Sequence, residues 1–568
     1  MHDPYRFIRI WAAIAFFVAI LVLGYPAAFI VQHGWNPAAW PGNVPLTPLA
    51  WLREWSVEIG ANYSINLRLI IGTYLEMLSG QSPAFAGGGS IEAITLGTAA
   101  VFLGSLILFG GKIVALRDPS NMFGSAQWAS TRDLARLSIG LEMGIDPDSG
   151  RPIRVRVEGN LLTIAPPRTG KTNGFIIPNL VFPGPGAWAG PAVVIDPKGD
   201  AFLAVRRRRE AIGKTVRCID PLGLAGGMDR WNPLSRTDPT DVLYLQSMAL
   251  ALLPPAEQRN ETSAYFRSRA VDLLVAAIVA TIRNNRSDPV SAARLLMDQP
   301  AFLAALEDRT DQASIAARNI LTMEERAREN IVSTAEQATQ WLRDERMQTA
   351  VQDHTFELAD LRSGEVDLFI VLPADERKEM LAPYVRWLLA DLFTTVRQQK
   401  PSERIIVFID EAFVLGRYDA ILKGTGELPG YGISLWTFWQ SRHQIIETYG
   451  SAGAETFIGT AEVVNLFNLS AAQPDEMEHW SKAIGTYTGV RVTSALDPKT
   501  GRVSETRTPE AVRLVPSSDL PKVLHEWQVM FLTSRAYTPD PIKLRRTLAY
   551  DDPRFQGLPD FVAPVGQN

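Results

Sequence analysis

Two stretches near the N-terminus contain only uncharged and mostly apolar residues. Residues 10–31 and 93–111 include no Asp, Glu, Lys or Arg. About 20 apolar residues are enough for a helix to cross a bilayer, so each stretch predicts a transmembrane helix. A cleaved signal peptide is the alternative for the first stretch, because Arg6 and Arg9 precede it, and a buried helix of a soluble domain is the alternative for the second.

The basic residues around these stretches predict how the chain crosses the membrane. In residues 32–92 the only Lys or Arg side chains are Arg53 and Arg68, whereas four such side chains occur in the much shorter stretch 112–136. Cytoplasmic loops are enriched in Lys and Arg, so both termini are expected in the cytoplasm and residues 32–92 on the other side. Residues 1–115 are therefore predicted to form a membrane anchor.

Farther along, Leu161-Leu-Thr-Ile-Ala-Pro-Pro-Arg-Thr-Gly-Lys-Thr-Asn-Gly reads as an apolar strand, a tight loop and the start of a helix. That order is typical of a phosphate-binding loop, in which Lys171 contacts the β and γ phosphates and the Thr172 hydroxyl is a ligand of Mg²⁺. The loop departs from the usual motif at Ala165, where a glycine is common, and a chance Gly-Lys-Thr is the alternative. The residues predicted to bind ATP are Ala165, Pro166, Pro167, Arg168, Thr169, Gly170, Lys171, Thr172 and Asn173.

A second apolar run, which begins after Arg404, ends in two adjacent acids. Such a run predicts a buried parallel strand, and an acid at its carboxyl end faces the crevice in which α/β proteins bind ligands. Asp410 is accordingly predicted to hold Mg²⁺ and Glu411 to polarise the attacking water. A pair of helix N-cap residues is the alternative.

Further apolar runs predict other strands of the same sheet. One run ends at Asp196 and Lys198, and another, from Ile433 to Trp439, ends at Gln440. Gln440 is predicted to contact the γ phosphate or to orient water, with a surface turn residue as the alternative. Residues 367–372 and 463–467 are additional strand candidates.

Between Thr240 and Arg362 the pattern is almost wholly helical, with apolar helical stretches at 247–253 and 270–282. Because strands are predicted on both sides, near Asp220 and Leu372, this block is interpreted as an all-α domain inserted into an α/β domain. The α/β domain then comprises residues 116–239 and 363–568, and the all-α domain comprises residues 240–362.

Composition narrows the function classes. The formal net charge is -5, which excludes a chain-wide basic field for nucleic acids. The single cysteine, Cys218, excludes an intramolecular disulfide. The run Arg206–Arg209 spreads around a helix, so a solvated or membrane-proximal position is favoured over a DNA track.

Two short motifs are more specific than the phosphate loop, namely Val194-Ile-Asp-Pro-Lys-Gly-Asp and Arg230-Trp-Asn-Pro-Leu. Further motifs are Gly124-Ser-Ala-Gln-Trp-Ala, Ile177-Pro-Asn-Leu, Ile409-Asp-Glu, Gly432 to Gln440 and Asp551-Asp-Pro-Arg-Phe. Together with the phosphate loop, these motifs resemble the VirD4/TraG family of type IV secretion coupling proteins. The resemblance implies a RecA-like P-loop domain with an inserted all-α domain, preceded by two transmembrane helices in a bacterial inner membrane.

The same resemblance implies a homo-hexamer with ATP sites between subunits, partners in a type IV secretion channel, and a cargo that is either a relaxase with single-stranded DNA or an effector protein. An FtsK-like DNA translocase and a docking receptor with a structural ATP site are the alternatives. A ring ATPase also offers an arginine to its neighbour. Arg168, Arg417 and Arg442 are candidates, and a solvated surface arginine is the alternative for each.

Overall fold

The structure is a computed structural model that describes residues 24–40, 56–59, 62–65, 67–79, 81, 121–253, 261–373, 375, 378–496, 503–533 and 537–560. The chain divides into two compact units, Met1–Met122 with Val490–Pro509, and Phe123–Gly489 with Glu510–Asn568. The predicted span at 93–111 and most of the one at 10–31 lie outside the described residues. Within the described ranges, no helix has both the length and the apolar character needed to cross a membrane.

The described N-terminal part of the first unit contains a short helix, a hairpin and a second helix. Residues 24–33 are helical (α1), and the ring of Phe29 in this helix packs edge-on against Trp40 with centroids 5.4 Å apart. An antiparallel hairpin follows, formed by β1 (Ser56–Ile59) and β2 (Asn62–Ile65), and α2 (Leu67–Leu78) comes after it. The described part of the predicted 32–92 loop therefore has secondary structure of its own.

The second unit is built on a nine-stranded mixed sheet. The remaining strands among the described residues are β3 (Leu141–Ile145), β4 (Pro152–Val155), β5 (Asn160–Ile164), β6 (Ala192–Ile195), β7 (Thr215–Ile219), β8 (Val366–Ile370), β9 (Ile405–Ile409), β10 (Ile433–Trp439), β11 (Ala461–Leu466), β12 (Thr486–Leu496), β13 (Val503–Arg513), β14 (Gln528–Leu532) and β15 (Ile542–Leu544). The sheet order is β15-β14-β11-β5-β10-β9-β6-β8-β7. β14 runs antiparallel to both of its neighbours, β11 and β15, and the seven strands from β11 to β7 are paired in parallel. The strands predicted from apolar runs are confirmed.

Helices cover both faces of this sheet. The helices described in this unit are α3 (Thr131–Leu134), α4 (Ile177–Leu180), α5 (Asp200–Ala211), α6 (Val242–Leu252), α7 (Glu261–Arg283), α8 (Pro289–Met297), α9 (Gln299–Leu306), α10 (Gln312–Leu321), α11 (Glu325–Gln337), α12 (Glu345–Gln352), α13 (Lys378–Gln398), α14 (Asp419–Glu427), α15 (Arg442–Thr460), α16 (Pro474–Ile484) and α17 (Leu520–Glu526). Alternate residues of each strand enter opposite apolar cores, as Leu161 and Leu162 do. One core includes α4 and α5, and the other includes α6 to α13.

The described residues between β7 and β8 are mostly helical. These helices share an apolar core with α13. Trp231, which precedes them in the chain, packs edge-on against Tyr384 and Trp387 of α13, with ring centroids 5.9 and 6.3 Å apart. The division of the chain at residues 240 and 362 into two domains stays a prediction.

The prediction of a solvated arginine run is wrong for one of its four members. Arg209 is fully buried, and its Nε lies 2.6 Å from Oδ2 of the equally buried Asp367 in β8. Arg207, two residues earlier on α5, keeps 83% of its side chain exposed. Four consecutive helical residues spread around the helix axis, so one of them has to face the sheet. That residue is Arg209, and Asp367 neutralises its charge.

Candidate functional site

The predicted phosphate loop leaves the sheet at the carboxyl end of β5. Its first residue is held there, because the Ala165 amide donates to the Trp439 carbonyl at 2.9 Å. The chain then turns through left-handed conformations at Arg168 and Gly170, where φ is 60° and 86°. A glycine adopts such a φ without the steric cost that a side chain brings. A helical turn at Thr172–Ile176 follows and continues into α4.

Lys171 turns its ammonium group back onto the loop that it belongs to. Its Nζ donates to the carbonyl oxygens of Ala165 at 2.9 Å and Pro166 at 3.1 Å. Burial lowers the pKa of Lys171, and the negative charges of Glu411 and Asp410 partly oppose that effect. The ammonium group therefore sits in the bend of the loop, where phosphate oxygens can replace the carbonyl oxygens as its acceptors.

Thr172 and Asp410 meet directly, although 238 positions separate them in the chain. The Thr172 hydroxyl donates to Asp410 Oδ2 at 2.9 Å. The other carboxylate oxygen, Oδ1, is buried and has no hydrogen-bond partner among the described residues. Burial raises the pKa of Asp410 to about 6. A hydroxyl beside a carboxylate with an unused oxygen fits a Mg²⁺ site in which nucleotide phosphates complete the ligand shell.

Glu411 and Gln440 form a second pair at the same edge of the sheet. The Gln440 side-chain amide donates to Glu411 Oε1 at 3.2 Å and Oε2 at 3.1 Å. Strand order explains the contact, since β10 lies between β5 and β9 and carries Gln440 to the gap between the phosphate loop and the acids. The structure therefore brings Lys171, Thr172 and these acids to one place, and the role of each residue stays a prediction.

Asp196, the other predicted acid at a strand end, accepts hydrogen bonds from backbone amides. Its Oδ1 accepts the Gly199 amide at 3.0 Å and its Oδ2 accepts the Phe202 amide at 2.9 Å, so the carboxylate holds the first turn of α5. Burial raises the pKa of Asp196 to about 7. Lys198 is exposed, yet its charge lowers the pKa values of Lys171 and Asp410, which places it near the phosphate loop.

The three candidate arginine fingers differ in how they are held. Arg417 is paired with Asp419 at 3.0 Å, and Arg442 is paired with Glu455. Arg168 is exposed at the bend of the phosphate loop itself. Arg417 and Arg442 thus have acidic partners in their own chain.

Sequence patterns did not indicate that the segment 546–550 crosses the phosphate loop. The Ala549 amide donates to the Asn173 carbonyl at 3.0 Å, and the Tyr550 amide donates to Asn173 Oδ1 at 3.3 Å. Arg546 Nη1 donates to the Thr169 carbonyl at 3.4 Å. A contact between residues more than 370 positions apart leaves no periodic signal in the sequence. The one local signal is the polar side chain of Asn173 at the start of a helix, which needs a hydrogen-bond partner.

Comparisons with known proteins agree with this fold. The family described as Type IV secretory system Conjugative DNA transfer matches residues 154–564. The chain is 24% identical over 485 residues to the probable conjugal transfer protein TraG of Sinorhizobium fredii, which covers 78% of this chain and 74% of TraG. It is 25% identical over 352 residues to the protein VirD4 of Rhizobium radiobacter, which covers 58% of this chain and 48% of VirD4. The match thus spans about half the length of that VirD4.

A solved structure shares the fold as well. The plasmid coupling protein TrwB in complex with ADP and Mg²⁺ aligns with a TM-score of 0.55 at 15% sequence identity, covering 76% of this chain and 96% of TrwB. At this identity the likeness shows the fold alone.

Proposed function

Because the chain belongs to the family of type IV secretory system conjugative DNA transfer proteins, we propose that it is an ATPase that couples cargo to a type IV secretion channel. The observation that carries this proposal is the convergence of two pairs, Thr172 with Asp410 and Glu411 with Gln440, at one edge of the sheet. The first pair joins residues 238 positions apart and the second joins residues 29 positions apart. Together they would provide a metal position and a water position beside one phosphate loop.

The loop is proposed to hold the triphosphate of ATP. Backbone amides at its helical end face the phosphates, and the Lys171 ammonium exchanges its two carbonyl acceptors for β and γ oxygens. Thr172 and Asp410 would hold Mg²⁺, which neutralises negative charge as the terminal phosphate is transferred.

Glu411 and Gln440 are proposed to act on water. A Glu411 oxygen accepts a hydrogen bond from a water molecule in line with the γ phosphate and takes its proton as attack proceeds. A bond forms between the water oxygen and the γ phosphorus, the bridging bond to the β phosphate breaks, and ADP and inorganic phosphate leave. Gln440 holds the Glu411 carboxylate through both oxygens, and so fixes where the water must lie.

The cellular setting is also proposed. Residues 10–31 and 93–111 would cross the lipid bilayer of a bacterial inner membrane, with both termini in the cytoplasm. The protein would act as a homo-hexamer with ATP sites between subunits, and its cargo would be a relaxase with single-stranded DNA or an effector protein. The description of the family and the conjugal transfer name of the TraG relative support the DNA cargo.

The ATPase proposal is tested with the detergent-solubilised full chain and with Glu411→Gln and Lys171→Ala variants. Glu411→Gln is expected to bind ATP but release no phosphate, and Lys171→Ala is expected to bind ATP poorly. Both should fail to support cargo transfer in cells. Glu427→Gln, which changes a side chain that is 61% exposed, is the matched control. Undiminished transfer by Glu411→Gln would favour a docking receptor with a structural ATP site.

The cargo is tested with the same preparation. If single-stranded DNA is moved, it should stimulate phosphate release, and its binding should weaken steeply as salt is raised. No stimulation by single-stranded DNA, together with tight binding of an effector protein, would assign the protein to effector export.

A further inference from the structure

The two sides of the phosphate loop are not equivalent. β10 and β9 lie on one side of β5, and they carry Gln440, Asp410 and Glu411. β11 lies on the other side. A nucleotide whose terminal phosphate meets the water and metal residues must therefore direct its ribose and base away from them, towards the carboxyl end of β11.

Three side chains gather on that β11 side. Phe467 directly follows β11, and the guanidinium carbon of Arg546 lies 5.6 Å from the centre of its ring. Leu548 lies against the loop, since a Cβ placed on Gly170 would come within 3.4 Å of Leu548 Cδ2. A planar cation and an aliphatic side chain thus lie beside the phosphate loop, and the buried ring of Phe467 packs against the cation.

Arg546 has a charge that the described residues leave uncompensated. No carboxylate is paired with its guanidinium within the described ranges, and burial lowers its pKa with no opposing acid. Its one polar contact there is the long hydrogen bond to the Thr169 carbonyl at 3.4 Å. A partly buried guanidinium that lies 5.6 Å from the centre of an aromatic ring, and has no counter-ion among the described residues, is available to a ligand.

The segment that carries Arg546 is firmly attached. The Thr547 hydroxyl donates to Glu142 Oε1 at 3.0 Å, and Arg554 Nη2 reaches the same oxygen at 2.7 Å. Glu142 is 2% exposed and also pairs with Arg154 at 3.2 Å. The backbone amides of Ala549 and Tyr550 also donate hydrogen bonds to Asn173. Together these contacts hold the segment against both the phosphate loop and β3. Arg546 is therefore positioned in advance, so a ligand need not order it on binding.

We propose that Arg546 binds the nucleoside half of the nucleotide, with its guanidinium stacked on the base and with Phe467 and Leu548 supporting it. The inference rests on the proposed ATPase function and extends the site to a segment outside the phosphate loop. A planar cation stacks on any base, so Arg546 adds affinity without selecting adenine over guanine.

The test compares ADP with inorganic tripolyphosphate, which lacks a nucleoside, as ligands of the full-length protein. Arg546→Ala is expected to weaken ADP binding about 5- to 30-fold, or about 1–2 kcal/mol, and to change tripolyphosphate binding less than about twofold. Arg546→Lys should resemble Arg546→Ala, because an ammonium group has no planar face. Arg545→Ala is the matched control, since the neighbouring Arg545 is exposed, and it should bind both ligands as the wild type does.

Other outcomes would overturn the inference. Unchanged ADP binding by Arg546→Ala would mean that Arg546 does not contact the nucleotide. Equal loss for ADP and tripolyphosphate, or full rescue by Arg546→Lys, would assign Arg546 to the phosphates instead of the base. Thermal unfolding of the ligand-free variants verifies that the fold is intact, and Lys171→Ala should lose both ligands. A wild-type protein that binds neither ligand would overturn the proposed function itself, and this inference with it.

Discussion

At the scale of single residues, Gln440 matters through the carboxylate that it holds. Its side-chain amide donates to both oxygens of Glu411, whereas Thr172 and Asp410 hydrogen-bond to each other. We expect Gln440→Ala to lower kcat for ATP hydrolysis by up to about 100-fold, because a misplaced carboxylate no longer aligns the water. Affinity for ADP should change little. Gln444→Ala, which removes only a 2.9 Å acceptor for the Gln440 backbone amide, should cost less, and equal losses of kcat and ADP affinity in Gln440→Ala would contradict this role.

Asp391 predicts a pH dependence of stability. Tyr244 donates to its carboxylate at 2.7 Å, and loss of water around the group raises its pKa from 3.8 to about 6. The folded state thus holds the proton more tightly than the unfolded state, so the stabilisation is complete below pH 3.8 and is lost as the pH rises through 6. Over this window the thermal midpoint of the wild type should fall relative to that of Asp391→Asn. Tyr244→Phe should move the loss to higher pH, and parallel curves for wild type and Asp391→Asn would contradict the assignment.

Local pattern was sufficient to locate some candidate site residues and insufficient for others. Asp410 and Glu411 end an uninterrupted apolar strand, and such a strand end can be located from a few consecutive residues, while the roles of the two acids stay predictions. Arg209 and Arg546 could not be assigned in this way, because an arginine has the same local appearance whether it meets water, a buried carboxylate or a ligand. Only the partner decides its role, and each partner comes from a remote part of the chain.

At the scale of helices and strands, the buried pair of Arg209 and Asp367 joins α5 to β8. Asp367 also accepts a hydrogen bond from the Ala192 amide at 2.9 Å, so it holds the first residue of β6 as well. Removing one charge would leave the other buried and unpaired, and we expect Arg209→Ala to lower the free energy of unfolding by about 3–5 kcal/mol. Arg207→Ala, on the exposed face of the same helix, should change it by less than about 1 kcal/mol. Urea unfolding measures both variants, and similar losses would contradict a special role for the pair.

The location of each strand in the sequence was easier to predict than the order of the strands in the sheet. Parallel strands buried on both faces are continuous apolar runs, so β6, β9 and β10 could be located from hydrophobicity alone. Their order depends on pairing between runs that are more than 200 positions apart, as with β6 and β9. The insertion of β10 between β5 and β9, which brings Gln440 to Glu411, therefore had to come from the structure.

For the whole molecule, the proposed hexamer raises the question of which subunit supplies an arginine finger to each ATP site. Two of the three candidate fingers, Arg417 and Arg442, have acidic partners within their own chain. An arginine from a neighbouring subunit would make each site depend on the subunit beside it. Activity would then be a property of the ring rather than of separate chains.

Mixing subunits tests this dependence. Wild-type protein and Glu411→Gln protein are combined in detergent in varying ratios, exchanged and reconstituted into membranes at constant total amount. If subunits act together, a subunit that binds ATP without hydrolysing it should slow its neighbours, so an equal mixture should release phosphate at well under half the wild-type rate. Glu427→Gln, the exposed control, should mix without loss. A rate that falls in strict proportion to the wild-type fraction would mean that each ATP site turns over independently of its neighbours, and would contradict coupled turnover in the ring.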